Sequence, residues 1–172
     1  MPSDPVDPAL PADLVDNSQW RPLRLLLDAL DRAIVELYAE ADIAGFRSRF
    51  TAPLIRLGRQ GPMTIRALAA AVEVTHSAMS QTVAAMQRAD LVRTSAGADA
   101  RTREVTLTGH GQELLPFLEA EWRATEAAVI EIEREIPYAL SQVVRDIEKV
   151  LQHRSFRDRL HDHWSPEAQD DQ

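Results

Sequence analysis

Thr75, His76, Ser77, Ser80, Gln81 and Thr82 fall within eight positions of one another. Hydroxyls, an imidazole and a carboxamide at this density suit the exchange of hydrogen bonds with a polar surface. A Gln side chain pairs in bidentate fashion with adenine, and Ser or Thr hydroxyls reach bases or phosphates. Farther along the chain, Arg101 and Arg103 follow Asp99. Two guanidinium groups at a chain reversal can reach a phosphate backbone, or a narrow minor groove where negative potential is concentrated. Asp99 would brace that reversal or orient an arginine. The plainer alternative for both groups is a solvated surface, and an exposed turn ion pair contributes little.

The elements that must hold these residues are legible in the spacing. Leu68, Ala69 and Val72 predict a helix over 65–72. A break at Glu73-Val74-Thr75 follows, and Thr75 is placed to cap the next helix by accepting from its free N–H groups. That helix, over 76–88, puts Met79, Val83 and Met86 on one face. The polar residues, with Gln87, occupy the other. Two helices joined by a short turn, the second with an outward polar face, form a helix-turn-helix that fits a DNA major groove. The runs 91–94 and 104–107 alternate as half-buried strands do, and 95–103 forms the tip between them. Helix-turn-helix plus ribbon is a winged helix.

These residues resemble a known family. Asp99-Ala100-Arg101 followed by Val105-Thr106-Leu107-Thr108 is similar to the wing signature of the MarR family of bacterial transcriptional regulators. The run Gly61-Pro62-Met63-Thr64-Ile65-Arg66-Ala67-Leu68-Ala69 resembles the start of that family's helix-turn-helix. The similarity spans about 57–111 at motif level. It implies a mainly α fold, a winged helix-turn-helix with long N- and C-terminal dimerisation helices and a two-stranded wing. It also implies a dimeric DNA-binding transcriptional regulator, a ligand-responsive repressor on a pseudo-palindromic operator, with double-stranded DNA and a second copy as partners. DNA contacts would come from Thr75, His76, Ser77, Ser80, Gln81, Thr82, Arg101 and Arg103, with Asp99 supporting the wing. Two positions depart from the family pattern: Gln81 stands where a basic residue is frequent, and Asp90 where a Gly commonly ends the recognition helix.

Composition bounds the remaining readings. The chain has 172 residues, 45% hydrophobic and 27% charged, an ordinary soluble composition for one domain. No run approaches the roughly 20 apolar residues that span a bilayer, and 1–5 lacks the character of a signal peptide. A cytoplasmic protein is expected. With no cysteine, the chain has neither disulfides nor a thiol redox switch. Net charge is −8, yet residues 44–110 carry 9 arginines against 4 acids, a local +5 between acidic flanks. Local field, rather than total charge, governs contact with a polyanion. No phosphate-cradling Gly loop, nucleophile elbow or fixed carboxylate pair is present, so an enzyme is not expected. A winged-helix protein–protein interaction module without sequence-specific DNA binding is the alternative class.

The flanks set the domain plan. Residues 1–19, with prolines at 2, 5, 8 and 11, read as a flexible tail, or as an arm anchored on a partner by Leu10, Leu14, Val15 and Trp20. Residues 20–43 read as a dimerisation helix striped by Leu23, Leu26, Leu27, Leu30, Ile34, Leu37 and Tyr38. That stripe would pack in its own core or, as the resemblance implies, against a second copy. A helix over 45–58 must accommodate Pro53 by a kink or a late start. Residues 44–110 are the DNA-binding region, and 111–163 hold a long linker helix and a C-terminal dimerisation helix. Residues 164–172 are a flexible acidic tail. Thr108 is expected to cap the linker helix, over 109–136, with Pro116 bending its start. Pro137 would end it and open the next helix, striped by Leu140, Val143, Val144, Ile147, Val150 and Leu151, then Phe156 and Leu160. A small-molecule effector is allowed for but unnamed; Trp122, Trp20 and Phe117 are conceivable pocket residues, with core packing favoured for each. His153, His161 and His163 beside Asp162 suggest a metal only weakly, and no metal or other cofactor is expected.

Overall fold

The computed structural model describes residues 18–43, 45–96 and 103–164, and divides into two units, Met1–Glu119 and Ala120–Gln172. In the first, helix α1 (Arg21–Glu40) carries Pro22 in its opening turn, where the missing N–H leaves no bond unmade. Of its expected stripe, Tyr38 alone is buried and Ile34 packs partly on the core, while Leu26, Leu27, Leu30 and Leu37 stay exposed. Packing within its own core therefore does not account for that stripe. The helix expected over 45–58 starts late, because a 3-10 turn (Ser48–Phe50) leads into α2 (Thr51–Gln60). Pro53 thereby falls in the first turn, and no interior hydrogen bond is lost.

A two-residue strand β1 (Met63–Thr64) precedes α3 (Ile65–Ala71) and α4 (His76–Arg88), and β2 (Val92–Ala96) and β3 (Arg103–Leu107) form the ribbon. The ribbon forms from the expected two strands, β2 with β3, and β1 adds a third to the sheet, ordered β1-β3-β2, with Met63 opposite Val105 and Thr64 opposite Glu104. Two residues are too few to show a period. In β2 and β3, Val92 faces Leu107, Thr94 faces Val105 and Ala96 faces Arg103. Alternation then sends Val92, Val105 and Leu107 into the core, joined there by Leu54, Leu68, Met79, Met86 and Leu118. Burying a side chain such as Leu54 contributes about 1.5–3 kcal/mol. Tyr38, Phe46 and Phe50 close one end, their rings edge-on at 4.7 and 5.6 Å. The Tyr38 hydroxyl shares a buried 2.8 Å hydrogen bond with Thr51. Phe117 packs against this core as expected, whereas Trp20 and Trp122 are largely exposed.

Three helices of this unit end on an acidic residue in the left-handed region: Asp42, Glu73 and Asp90, at φ 58°, 57° and 54°. Each is followed by an N–H that reaches back five residues, Ile43 to Tyr38, Val74 to Ala69 and Leu91 to Met86. That cap is ordinarily completed by Gly. Asp90 thus takes up the helix-ending backbone that glycine usually supplies.

Helix α5 (Gly109–Glu135) crosses from one unit into the other and keeps Pro116 inside it. Thr108 caps it as expected, accepting from the Gly111 N–H at 3.0 Å. In the second unit, α6 (Leu140–His153) has no buried residue, and Leu140, Val143, Val144 and Val150 are exposed. Pro137 lies in the turn after α5, ahead of α6, so it does not open that helix. The start of α6 is instead held by Glu133, whose carboxylate accepts from the Ser141 N–H at 2.7 Å and the Ser141 hydroxyl at 2.9 Å. These bonds hold its carboxyl below the usual glutamate range. Phe156 and Leu160 belong to a separate helix, α7 (Phe156–His163), because Ser155 breaks the chain and caps it by accepting from Asp158. Asp162 pairs there with Arg154. Among the described residues, no helix is long and apolar enough to cross a membrane.

Candidate nucleic-acid interface

The interface is built on α4. Thr75 has extended backbone and its hydroxyl accepts from the Ala78 N–H at 3.2 Å, so the helix starts at His76 as its cap predicts. Thr64 does the same for α3, accepting from Ala67 at 3.1 Å. Met79, Val83 and Met86 pin α4 to the core, which fixes what points away from it. At spacings of four, three and four, Ser77, Gln81, Ala84 and Arg88 form one exposed row. His76 is exposed at the helix start, and Ser80 is half-buried at the row's edge.

Thr82 does not join them. It is 8% exposed, on the buried side of the helix, so its hydroxyl is not offered at the surface. A list of polar residues conceals this, because residues 80–82 cannot all share one face at 3.6 residues per turn. Arg88 went unnamed among the expected contacts, yet extending the Ser77-to-Gln81 step by three and four residues reaches it. Its Nε donates to the Ala84 carbonyl at 3.3 Å, which ties its stem to the row's far end.

The ribbon contributes Arg103. Its terminal amino group donates to the Thr94 hydroxyl oxygen at 3.3 Å, and the Gln87 carboxamide donates to that oxygen at 3.2 Å. A side chain from α4, one from β2 and one from β3 therefore meet at a single atom. Asp99 and Arg101 lie outside the described residues. The register puts Arg103 on the same face of the ribbon as Thr94 and buried Val105, with Arg93 and Glu104 on the opposite face. An outer-face placement of Arg103, away from the helix, is thereby excluded.

Electrostatics favour an anion. All eight described arginines between 44 and 110 are exposed. Arg59 is neutralised by Glu119 at 3.0 Å, and Arg49 lies 5.9 Å from the centre of the Phe50 ring. Arg103 is held by neutral oxygen acceptance, which leaves its charge uncompensated by that contact.

The sequence profile of the MarR family matches residues 54–102, the stretch that holds α3, α4 and β2. Among solved structures, the chain is similar to MepR of Staphylococcus aureus in its DNA complex, with a TM-score of 0.60 at 16% identity, over 79% of this chain and 97% of that one. It is similar to the transcriptional regulator MosR of M. tuberculosis in complex with DNA, with a TM-score of 0.53 at 28% identity, over 77% and 90%. The haem sensor PefR of Streptococcus agalactiae, in complex with haem, gives a TM-score of 0.56 at 14% identity, over 83% and 97%. No curated protein matches the sequence.

Proposed function

We propose that this chain, whose residues 54–102 match the profile of the MarR family, is a homodimeric regulator of transcription that binds duplex DNA and is released from it by a small ligand, hence a repressor. The observation that carries this reading is the exposed row of α4, Ser77, Gln81, Ala84 and Arg88, with Arg103 on the neighbouring ribbon. The row enters a major groove, where Gln81 and Ser77 reach base edges and Arg88 meets phosphate. His76, Thr75 and Ser80 contribute at the row's start and edge, and Arg101 with Arg103 addresses the adjoining minor groove and backbone.

Pairing is supported by apolar surface that stays exposed among the described residues of one copy. Leu26, Leu27 and Leu30 on α1, and Val143, Val144 and Val150 on α6, are each at least 38% exposed. Two stripes of this size on a soluble chain mark a contact surface. A two-fold dimer requires a pseudo-palindromic operator with half-sites about one helical turn apart. The ligand acts by favouring one separation of the two recognition helices over another. Lacking cysteine, the chain has no thiol through which an oxidant could do so.

One feature supports a second reading. The α4 row holds a single guanidinium, which suits a protein–protein contact as well as a nucleic-acid one. A salt titration on duplex DNA separates the two. Phosphate neutralisation gives a linear loss of log affinity with log salt, with a slope near −0.9 for each contact. A flat salt response, or no retention of any duplex, refutes DNA binding and leaves the protein-contact reading.

A further inference from the structure

Thr94 is named by no motif, yet its hydroxyl oxygen accepts from Gln87 of α4 and from Arg103 of β3. We propose that Thr94 is a positioning residue that joins recognition helix and ribbon into one rigid reader, and that the Arg103 it holds contacts DNA phosphate. The inference rests on the DNA-binding reading above and deepens it.

Four features carry it. The backbone brings the three residues together: α4 ends one residue after Gln87, the left-handed Asp90 reverses the chain, and β2 begins at Val92. Pairing of Thr94 with Val105 then sets Arg103 two residues nearer the tip, on the same face. Val105 is fully buried and Thr94 half-buried, so the acceptor sits on fixed strand while its two donors are exposed. Finally, a guanidinium has five N–H donors in a planar fork, and Thr94 engages one terminal nitrogen. The remaining donors and the full positive charge are left for a ligand, which a carboxylate partner would have partly neutralised. A long side chain fixed beforehand loses less conformational freedom when it meets phosphate.

Arg103 and Gln87 address one oxygen at 3.3 and 3.2 Å, so neither bond is strong and stability should scarcely depend on them. Recognition should. The variants are Thr94→Val and Thr94→Ala, which remove the acceptor, Thr94→Ser, which keeps it, and Arg103→Gln, which removes the charge. Each is titrated against a duplex of about three helical turns, selected from a randomised pool by the unaltered protein. Thr94→Val and Thr94→Ala weaken binding about three- to tenfold, with an unchanged salt slope because no cation is lost. Thr94→Ser stays within about twofold, and Arg103→Gln lowers the slope by about one. Combined with Arg103→Gln, Thr94→Val adds nothing further, and the melting temperature of every Thr94 variant stays within a few degrees of the parent.

Equal binding by parent, Thr94→Val and Thr94→Ala overturns the inference while leaving DNA binding intact. A full additional loss from Thr94→Val on top of Arg103→Gln also overturns it, since Thr94 would then act independently of the arginine. Failure of the unaltered chain to retain any duplex sinks the DNA-binding reading, and this inference with it. Should Thr94→Val fold poorly, Thr94→Ala against Thr94→Ser carries the same comparison.

Discussion

Gly111→Ala is a substitution for which two general rules give opposite signs. Gly111 is the third residue of α5, and replacing glycine by alanine inside a helix ordinarily stabilises by up to about 1 kcal/mol. Here the new Cβ would lie 2.1 Å from the Leu91 carbonyl oxygen and 3.1 Å from its carbon. Real contacts of this kind are about an ångström longer, and the obstacle is backbone, which has no rotamer to change. That oxygen also accepts the Thr108 N–H at 3.1 Å, while the Thr108 hydroxyl donates to the Asp90 carbonyl and accepts from Gly111. Moving α5 outward therefore strains the junction tying the end of α4 to the start of α5. Overpacking costs about 1–3 kcal/mol, and two weakened hydrogen bonds add about 1 kcal/mol each. Less the helical gain, the net loss is about 2–4 kcal/mol. For a chain of 172 residues each 1 kcal/mol lowers Tm by about 2–4 °C, so a fall of roughly 4–16 °C is expected. The assay is thermal and urea unfolding followed by helix signal, with the m-value compared to confirm that the same surface unfolds. Gly109→Ala is the control, because nothing stands within 4 Å of its added Cβ. A Gly111→Ala protein as stable as that control would refute the reasoning.

Two further outcomes are expected. Glu73→Gly should stabilise by about 0.5–1.5 kcal/mol, since it relieves a left-handed non-glycine residue and removes an acid from a helix C-terminus, against glycine's greater unfolded freedom; an unchanged or lower urea midpoint sinks the argument. Glu133 titrates below the usual glutamate range because the Ser141 N–H, and then the Ser141 hydroxyl, bonds its carboxylate. A depressed carboxyl stabilises the fold fully above its unfolded value, and that contribution is lost as pH falls through the folded one. In a carbon-detected titration Ser141→Ala should raise the Glu133 midpoint only partway, since the backbone N–H remains, and a full return to the ordinary value would show that the hydroxyl alone holds it.

Legibility followed the length over which a physical rule could act. The 13 residues of α4 were placed to the residue, because Thr75 signals a start, three apolar residues fix a face, and Arg88 precedes a turn. The winged-helix fold followed from that helix and two alternating runs. What escaped was set by contacts distant in sequence. Strand β1 exists because Met63 and Thr64 find β3 about forty residues later, and two residues alone carry no period. Glu133 anchors the first turn of α6 from eight residues away, so Pro137 lost the role that proximity suggested. The site shows the same division. Ser77 and Gln81 were placed outward by period, whereas Thr82 was misassigned by reading polarity without phase. Gln87, Thr94 and Arg103 meet only once the left-handed turn at Asp90 has folded β2 back beside α4. Sequence could supply an acid tolerant of that turn, but the convergence on one oxygen depends on strand register, which a one-residue slip would have sent to the opposite face.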